Sequence, residues 1–183
     1  MKKFRYLDID DEYASKVSQE IISEFESIFN IKLPSLYVEF ITEYNKASVR
    51  QDTFDYYDSY NQEEALVGFG FDSFETEENI EPGNNILRQW IYDDEIYGYP
   101  YVYSFGSTGA GDFICFDYRD NPLGDNPKIC IVIHDEYDEQ TGRRLLFPVA
   151  DDFEEFLDKL YDFNERYPEG YSSALFQAKF CKK

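Results

Sequence analysis

Tyr101-Val102-Tyr103-Ser104-Phe105, Asp112-Phe113-Ile114-Cys115-Phe116-Asp117-Tyr118, Lys128-Ile129-Cys130-Ile131-Val132-Ile133-His134 and Arg143-Arg144-Leu145-Leu146-Phe147-Pro148-Val149 are four strand-forming runs in direct succession. Only turn-forming segments separate them: Gly106–Gly111, Arg119–Pro127 with its two prolines, and Asp135–Gly142. Parallel neighbours need a long crossover, whereas antiparallel neighbours need only a turn. The spacing therefore predicts an antiparallel meander and argues against a βαβ sheet.

Outward from this centre, Ala65-Leu66-Val67-Gly68-Phe69-Gly70-Phe71 predicts another strand, and Thr53–Tyr60 reads as an exposed loop or edge strand. Residues 72–84 form an acidic, turn-rich connection ending in Pro82-Gly83, followed by a short helix over 84–92. Ala14, Val17, Ile21, Phe25 and Ile28 recur at helical spacing and predict a helix from Asp11 to Phe29, capped by Asp10 or Asp11. Asn30–Leu33 interrupts it. Pro34 opens a second helix, with Tyr37, Phe40, Ile41 and Tyr44 as its buried stripe and Asn45 at its end. After Ala150, Asp151 and Glu154 suggest a capping arrangement. Phe153, Phe156, Leu157, Leu160 and Tyr161 give the apolar face of a last long helix, ended by Pro168 and Gly170, and 171–183 adds a short terminal helix. The fold class expected is α+β, a central antiparallel sheet with a helix pair before it and a helix after it. One domain spans 1–183, with a core over about 15–162 and a C-terminal extension over 163–183.

The 183 residues carry 17 basic and 38 acidic side chains, for a net charge of −21. Leu, Ile, Val and Phe still make up 49 residues. That is well above the ~20% below which a highly charged chain stays disordered. Residues 51–100 hold 13 acidic groups and one basic group, net −12. Such a field repels nucleic acid, whose binding rests on Lys and Arg, and attracts basic partners. No membrane span is expected: the longest aliphatic and Cys run is Ile129–Ile133, against ~20 residues for a spanning helix. The Met1–Asp8 start has no apolar stretch behind its lysines, so a cytoplasmic location is the expectation. Cys115 and Cys130 sit in apolar runs and Cys181 stands near the end, which reads as buried reduced thiols rather than a disulfide framework.

Chemistry-bearing motifs fail on spacing. Gly106-Ser107-Thr108-Gly109-Ala110-Gly111 leads into a strand, not the helix that a phosphate cradle needs. The stretch from Asp135 has Gln140 and Leu146 where a calcium loop needs Gly and Glu. His134, the only histidine, reads as a structural residue at a strand end, and no Cys-x-x-Cys accompanies it for zinc. Asp93-Asp94-Glu95 reads as a solvated face rather than a magnesium or catalytic pair. No catalytic residue, cofactor or metal is assigned. Acidic residues interleaved with tyrosines suit a basic protein surface. The expected partner site sets Asp52, Asp55, Tyr57, Asp58, Glu63 and Glu64 on one side and Asp93, Asp94, Glu95 and Tyr97 on the other.

Three segments, Phe25-Glu26 with Lys32–Ile41, Gly111–Tyr118 and Val149–Leu157, together resemble the SUKH superfamily (Smi/Knr-like), which includes fungal cell-wall synthesis regulators and many bacterial immunity proteins. Phe25-Glu26 followed by Lys32-Leu33-Pro34-Ser35-Leu36-Tyr37-Val38-Glu39-Phe40-Ile41 is similar to the family's opening helix, Leu-Pro step and second helix. Gly111–Tyr118 resembles its Gly-Asp turn and apolar strand, and Val149–Leu157 its closing strand and helix. Asn45-Lys46-Ala47 departs from the Asn-Gly that often follows the second helix. The resemblance implies a non-catalytic immunity protein, monomeric or weakly dimeric, that neutralises a cognate toxin, often a nuclease. A regulatory scaffold of the Smi/Knr type is the alternative, and an uncharacterised hydrolase comes third.

Overall fold

The computed structural model describes residues 2–74 and 99–170. Strands β1 (Lys2–Phe4), β2 (Leu7–Asp10) and β3 (Ser48–Val49) make a small antiparallel sheet in the order β1-β2-β3. Helices α1 (Gln19–Phe29) and α2 (Ser35–Tyr44) lie between β2 and β3. Six strands then form the main sheet in sequence order: β4 (Thr53–Asp58), β5 (Glu63–Phe71), β6 (Val102–Thr108), β7 (Phe113–Asp117), β8 (Lys128–Tyr137) and β9 (Arg144–Ala150). Every neighbouring pair is antiparallel, so the meander stands. Helices α3 (Phe153–Lys159) and α4 (Phe163–Arg166) follow.

The N-terminal reading needs correction. Leu7-Asp8-Ile9-Asp10 alternates with period two, and Leu7 and Ile9 are buried in β2. The helix begins only at Gln19, where the Ser18 side chain, not Asp10 or Asp11, accepts from the Ile21 amide. Its buried stripe is Ile22 and Phe25, with Phe29 packed 4.7 Å from Phe25. Ile28 is 65% exposed, so the expected stripe was rotated. Asn30 ends the helix in the left-handed region at φ 51°. Pro34 caps α2 from just outside rather than sitting in its first turn. The last helix is likewise shorter than expected. It stops at Lys159, Leu160 turns to extended backbone, and Asp162 caps the separate α4. The N-cap of α3 is Asp152, not Asp151: it accepts from Glu155 N–H, while Glu155, not Glu154, accepts from Asp151 N–H. The expected helices over 84–92 and 171–183, and Cys181, lie outside the described residues.

The main sheet curls until its two edge strands approach, and Tyr56 on β4 stacks on Phe147 of β9 at 5.7 Å. Phenylalanines fill the concave side. Phe153 and Phe156 of α3 meet Phe105 at 5.6 Å each, and Tyr37 of α2 meets Phe116 at 5.1 Å and Phe153 at 5.5 Å. Such aromatic pairs contribute about 0.5–1.5 kcal/mol each beyond buried area. The opposite side of the sheet carries a second buried cluster of Val102, Cys115, Cys130 and Val132, and neither Cys115 nor Cys130 is in a disulfide. Among the described residues no helix is long and apolar enough to cross a membrane.

Candidate functional site

Alternating antiparallel connections place every second turn of the sheet at the same end. Turns 59–62, 109–112 and 138–143 therefore gather at one end, away from the 118–127 loop. Each is built by its own side chains. Asp58 closes the first: Oδ1 accepts from Tyr60 N–H and Asn61 N–H, both at 2.9 Å, and Oδ2 accepts from the Asn61 amide at 2.9 Å. Asp138 closes the third by accepting from Gln140 N–H and Thr141 N–H.

Two glycines of the Gly106–Gly111 run are required by the backbone, Gly106 within β6 and Gly111 in the middle turn. A side chain on Gly106 would meet the Gly70 carbonyl at 2.7 Å, and Gly111 adopts φ +100°. Asp112 then ties the turn to its neighbour. Its Oδ2 accepts from the Thr108 hydroxyl at 3.2 Å, and its Oδ1 accepts from His134 N–H at 3.1 Å and lies 3.0 Å from His134 Nδ1. With Asp135 these groups bring three potential metal ligands within 4.8 Å of one another. Both Asp112 oxygens already accept hydrogen bonds, so the group works as a staple between the β6–β7 turn and β8.

Tyr56 reports how close the three turns come. Burial first, and then the carboxylates of Asp58, Asp112, Glu136 and Glu63, push its hydroxyl up to about 12. The surface of this end shows tyrosines. Tyr57 is 49% exposed, Tyr60 54% and Tyr137 51%.

The expected partner residues separate on this frame. Tyr57, Glu63 and Glu64 are exposed near the first turn, with Tyr57 opposite Glu64 and Asp58 opposite Glu63. Asp58 is buried in the turn it closes. Asp55 accepts from the Tyr161 hydroxyl at 2.6 Å and pairs with Arg166 at 3.1 Å, which fastens α4 to the edge strand. Burial and that bond to Asp55 hold the Tyr161 hydroxyl well above its ordinary value. Asp52 accepts from the Thr53 hydroxyl. Asp93, Asp94, Glu95 and Tyr97 lie outside the described residues. Sequence reasoning missed Glu136 and Tyr137, which read as part of a polar turn but continue β8 to the same end as Tyr60. Their only local signal is continuity with the apolar run before them.

A cleft of about 400 Å³ opens elsewhere, lined by β8, β9 and α3. Its cations are engaged: Arg119 with Asp117, Lys128 with Asp120, and Lys159 with Glu155. It therefore offers no unpaired positive charge to an anion.

The motif residues hold the frame. Glu26 accepts from Leu33 N–H at 2.9 Å and from the Lys32 ammonium, which sets the Leu-Pro step on the end of α1. Asn45 is buried and grips Phe74 by donating to its carbonyl at 2.9 Å and accepting from its N–H at 2.8 Å. Lys46, in the departure from Asn-Gly, takes φ 68°, a conformation that suits glycine better. No curated protein and no solved structure significantly matches the chain. The sequence model of one family does match, over residues 16–159, taking in Glu26, Asn45, Asp112 and the Asp152–Glu155 cap. The chain belongs to the SMI1 / KNR4 family (SUKH-1).

Proposed function

We propose that the chain is an immunity protein. On this reading it is a non-catalytic cytoplasmic partner that binds a cognate basic toxin, a nuclease domain, and occludes its active or substrate-binding surface. Charge on a SUKH-1 frame is the observation that carries the reading: −21 over 183 residues, with −12 of it in residues 51–100. A nuclease must attract phosphate and presents Lys and Arg to do so. An acidic protein competes for that surface and reaches it quickly, because opposite fields steer the encounter. The contact between His134 and Asp112 has the composition of an acid–base pair. Asp112 there also accepts the His134 amide and the Thr108 hydroxyl, which supports a structural role over a chemical one.

The test is coexpression with nuclease toxins encoded beside the gene, followed by titration of the purified chain into a nuclease assay. The expected result is protection of the cell, with inhibition complete at equimolar protein and relieved by salt. Absence of both protection and binding would overturn the reading and favour the regulatory-scaffold alternative.

A further inference from the structure

We propose that the turn end of the six-stranded sheet is the docking surface for a basic protein, with Tyr57, Tyr60 and Tyr137 as anchors and Glu63, Glu64 and Glu136 as the charged rim. This rests on the toxin-binding reading and locates it on the chain.

Two features coincide at this end. The first is aromatic exposure. Each of the three tyrosines is about half exposed, and they stand on two hairpins that the curl of the sheet brings together. Tyrosine offers large contact area with few rotatable bonds, so ordering it on binding loses little entropy. The second is charge compensation. On the helical side, several acids are matched by cations: Arg5 pairs with Glu154 and Asp158, and Arg50 with Asp162 and Glu165. At the turn end, Glu136 and Glu139 have no cationic partner among the described residues. In the same hairpin Arg143 lies over Tyr99 at 5.7 Å and Arg144 over Tyr137 at 5.8 Å. The occupant this surface fits is a positively charged protein face. Nucleic acid and anionic membrane carry the same sign as the rim and are repelled.

The experiment compares two double charge reversals that change net charge equally. Glu136→Lys with Glu139→Lys alters the turn end, and Glu12→Lys with Glu24→Lys alters exposed acids on the helical side. Tyr60→Ala tests an anchor, and circular dichroism confirms folding of each variant. The probes are an oligo-arginine peptide and the toxin domain neutralised in the protection assay. Turn-end reversal is expected to slow association about tenfold, and Tyr60→Ala to speed toxin dissociation about tenfold. The helical-side reversal is expected to change either rate less than about twofold. Equal effects of the two reversals would show that only the overall field matters and would overturn the placement. So would toxin neutralisation that survives turn-end reversal and Tyr60→Ala together. If no toxin is neutralised by the wild-type chain, the toxin reading fails in its own assay, and the peptide alone decides whether this end takes a basic partner.

Discussion

Asn45→Ala removes one buried side chain that serves two backbone groups at once. The Asn45 amide donates to the Phe74 carbonyl at 2.9 Å and to Ser15 Oγ at 3.1 Å, and its oxygen accepts from Phe74 N–H at 2.8 Å. Alanine leaves the Phe74 N–H and carbonyl buried without these partners. An orphaned buried group costs about 1–3 kcal/mol, so the pair sets an expected loss of about 3 kcal/mol. Phe74 also packs 4.9 Å from Phe25, so the clamp fixes the chain leaving β5 against α1. Asn45→Asp separates the two halves of the clamp. It keeps an acceptor for Phe74 N–H but sets a carboxylate oxygen against the Phe74 carbonyl. It should be at least as damaging at neutral pH. It should recover part of the loss as pH falls from neutral towards about 4, because burial against the carbonyl favours the protonated carboxyl, which can donate. Urea unfolding followed by far-ultraviolet circular dichroism measures both. A loss under about 1 kcal/mol for Asn45→Ala, or wild-type stability for Asn45→Asp at neutral pH, would refute this account of the clamp.

Four further outcomes are expected. Tyr37→Phe should be neutral or stabilising by up to about 1 kcal/mol in the same unfolding assay, because the buried hydroxyl it removes has no partner among the described residues. Asp72→Asn should stabilise the protein at pH 7. Burial raises the Asp72 pKa against the Ser107 and Ser104 hydroxyls that lower it, so ionised Asp72 opposes folding. The difference should close as pH falls through that raised value towards about 4, where the unfolded carboxyl also takes up its proton. Thiol titration of native protein should find Cys115 and Cys130 reduced and slow to react, since both are buried. They face each other across β7 and β8, and a quantitative disulfide between them in fresh lysate would contradict a reducing compartment. The thermal midpoint should rise between low salt and about 0.15 M, where the screening length falls to ~8 Å, because −21 charges repel in the folded state. A flat or falling midpoint would mean that local ion pairs outweigh the net field.

The sheet was legible because its strands are long apolar runs separated by short polar turns, and both signals are local. The same locality misled the N-terminal reading. Ala14 and Val17 happen to extend the helical spacing of Ile21, Phe25 and Ile28 backwards, although Ser15 pairs with Asn45 in a β-bridge and the helix starts four residues later, at Gln19. Four alternating residues in β2 are too few to outweigh that stripe. The candidate surface was legible only as composition. Asp55 and Glu63 are equivalent in the sequence, each an acid beside an aromatic or acidic stretch. What separates them is tertiary: Asp55 meets Tyr161 and Arg166 across more than a hundred residues of chain, and no local pattern announces that pairing.

The division of labour among polar residues follows from burial. Glu26, Asn45, Asp112 and Asp152 each accept hydrogen bonds from backbone N–H groups belonging to other segments or to a helix start, so replacing any of them strands a backbone group. These positions are bound to the frame and have little freedom to serve a partner. The turn tips carry the opposite constraint. Tyr60 contributes only its backbone N–H to the turn closed by Asp58, and its ring is 54% exposed. Glu136 lies where the pairing of β8 with β9 shifts register between Val132 and Tyr137, so the regular ladder asks nothing of its side chain. A chain built this way can change the chemistry of one end of its sheet at little expense in stability, while the buried acids and amides keep the sheet and helices in place. A surface that must match one particular partner is best carried by residues of that kind, and in this protein they are acidic and tyrosine-rich.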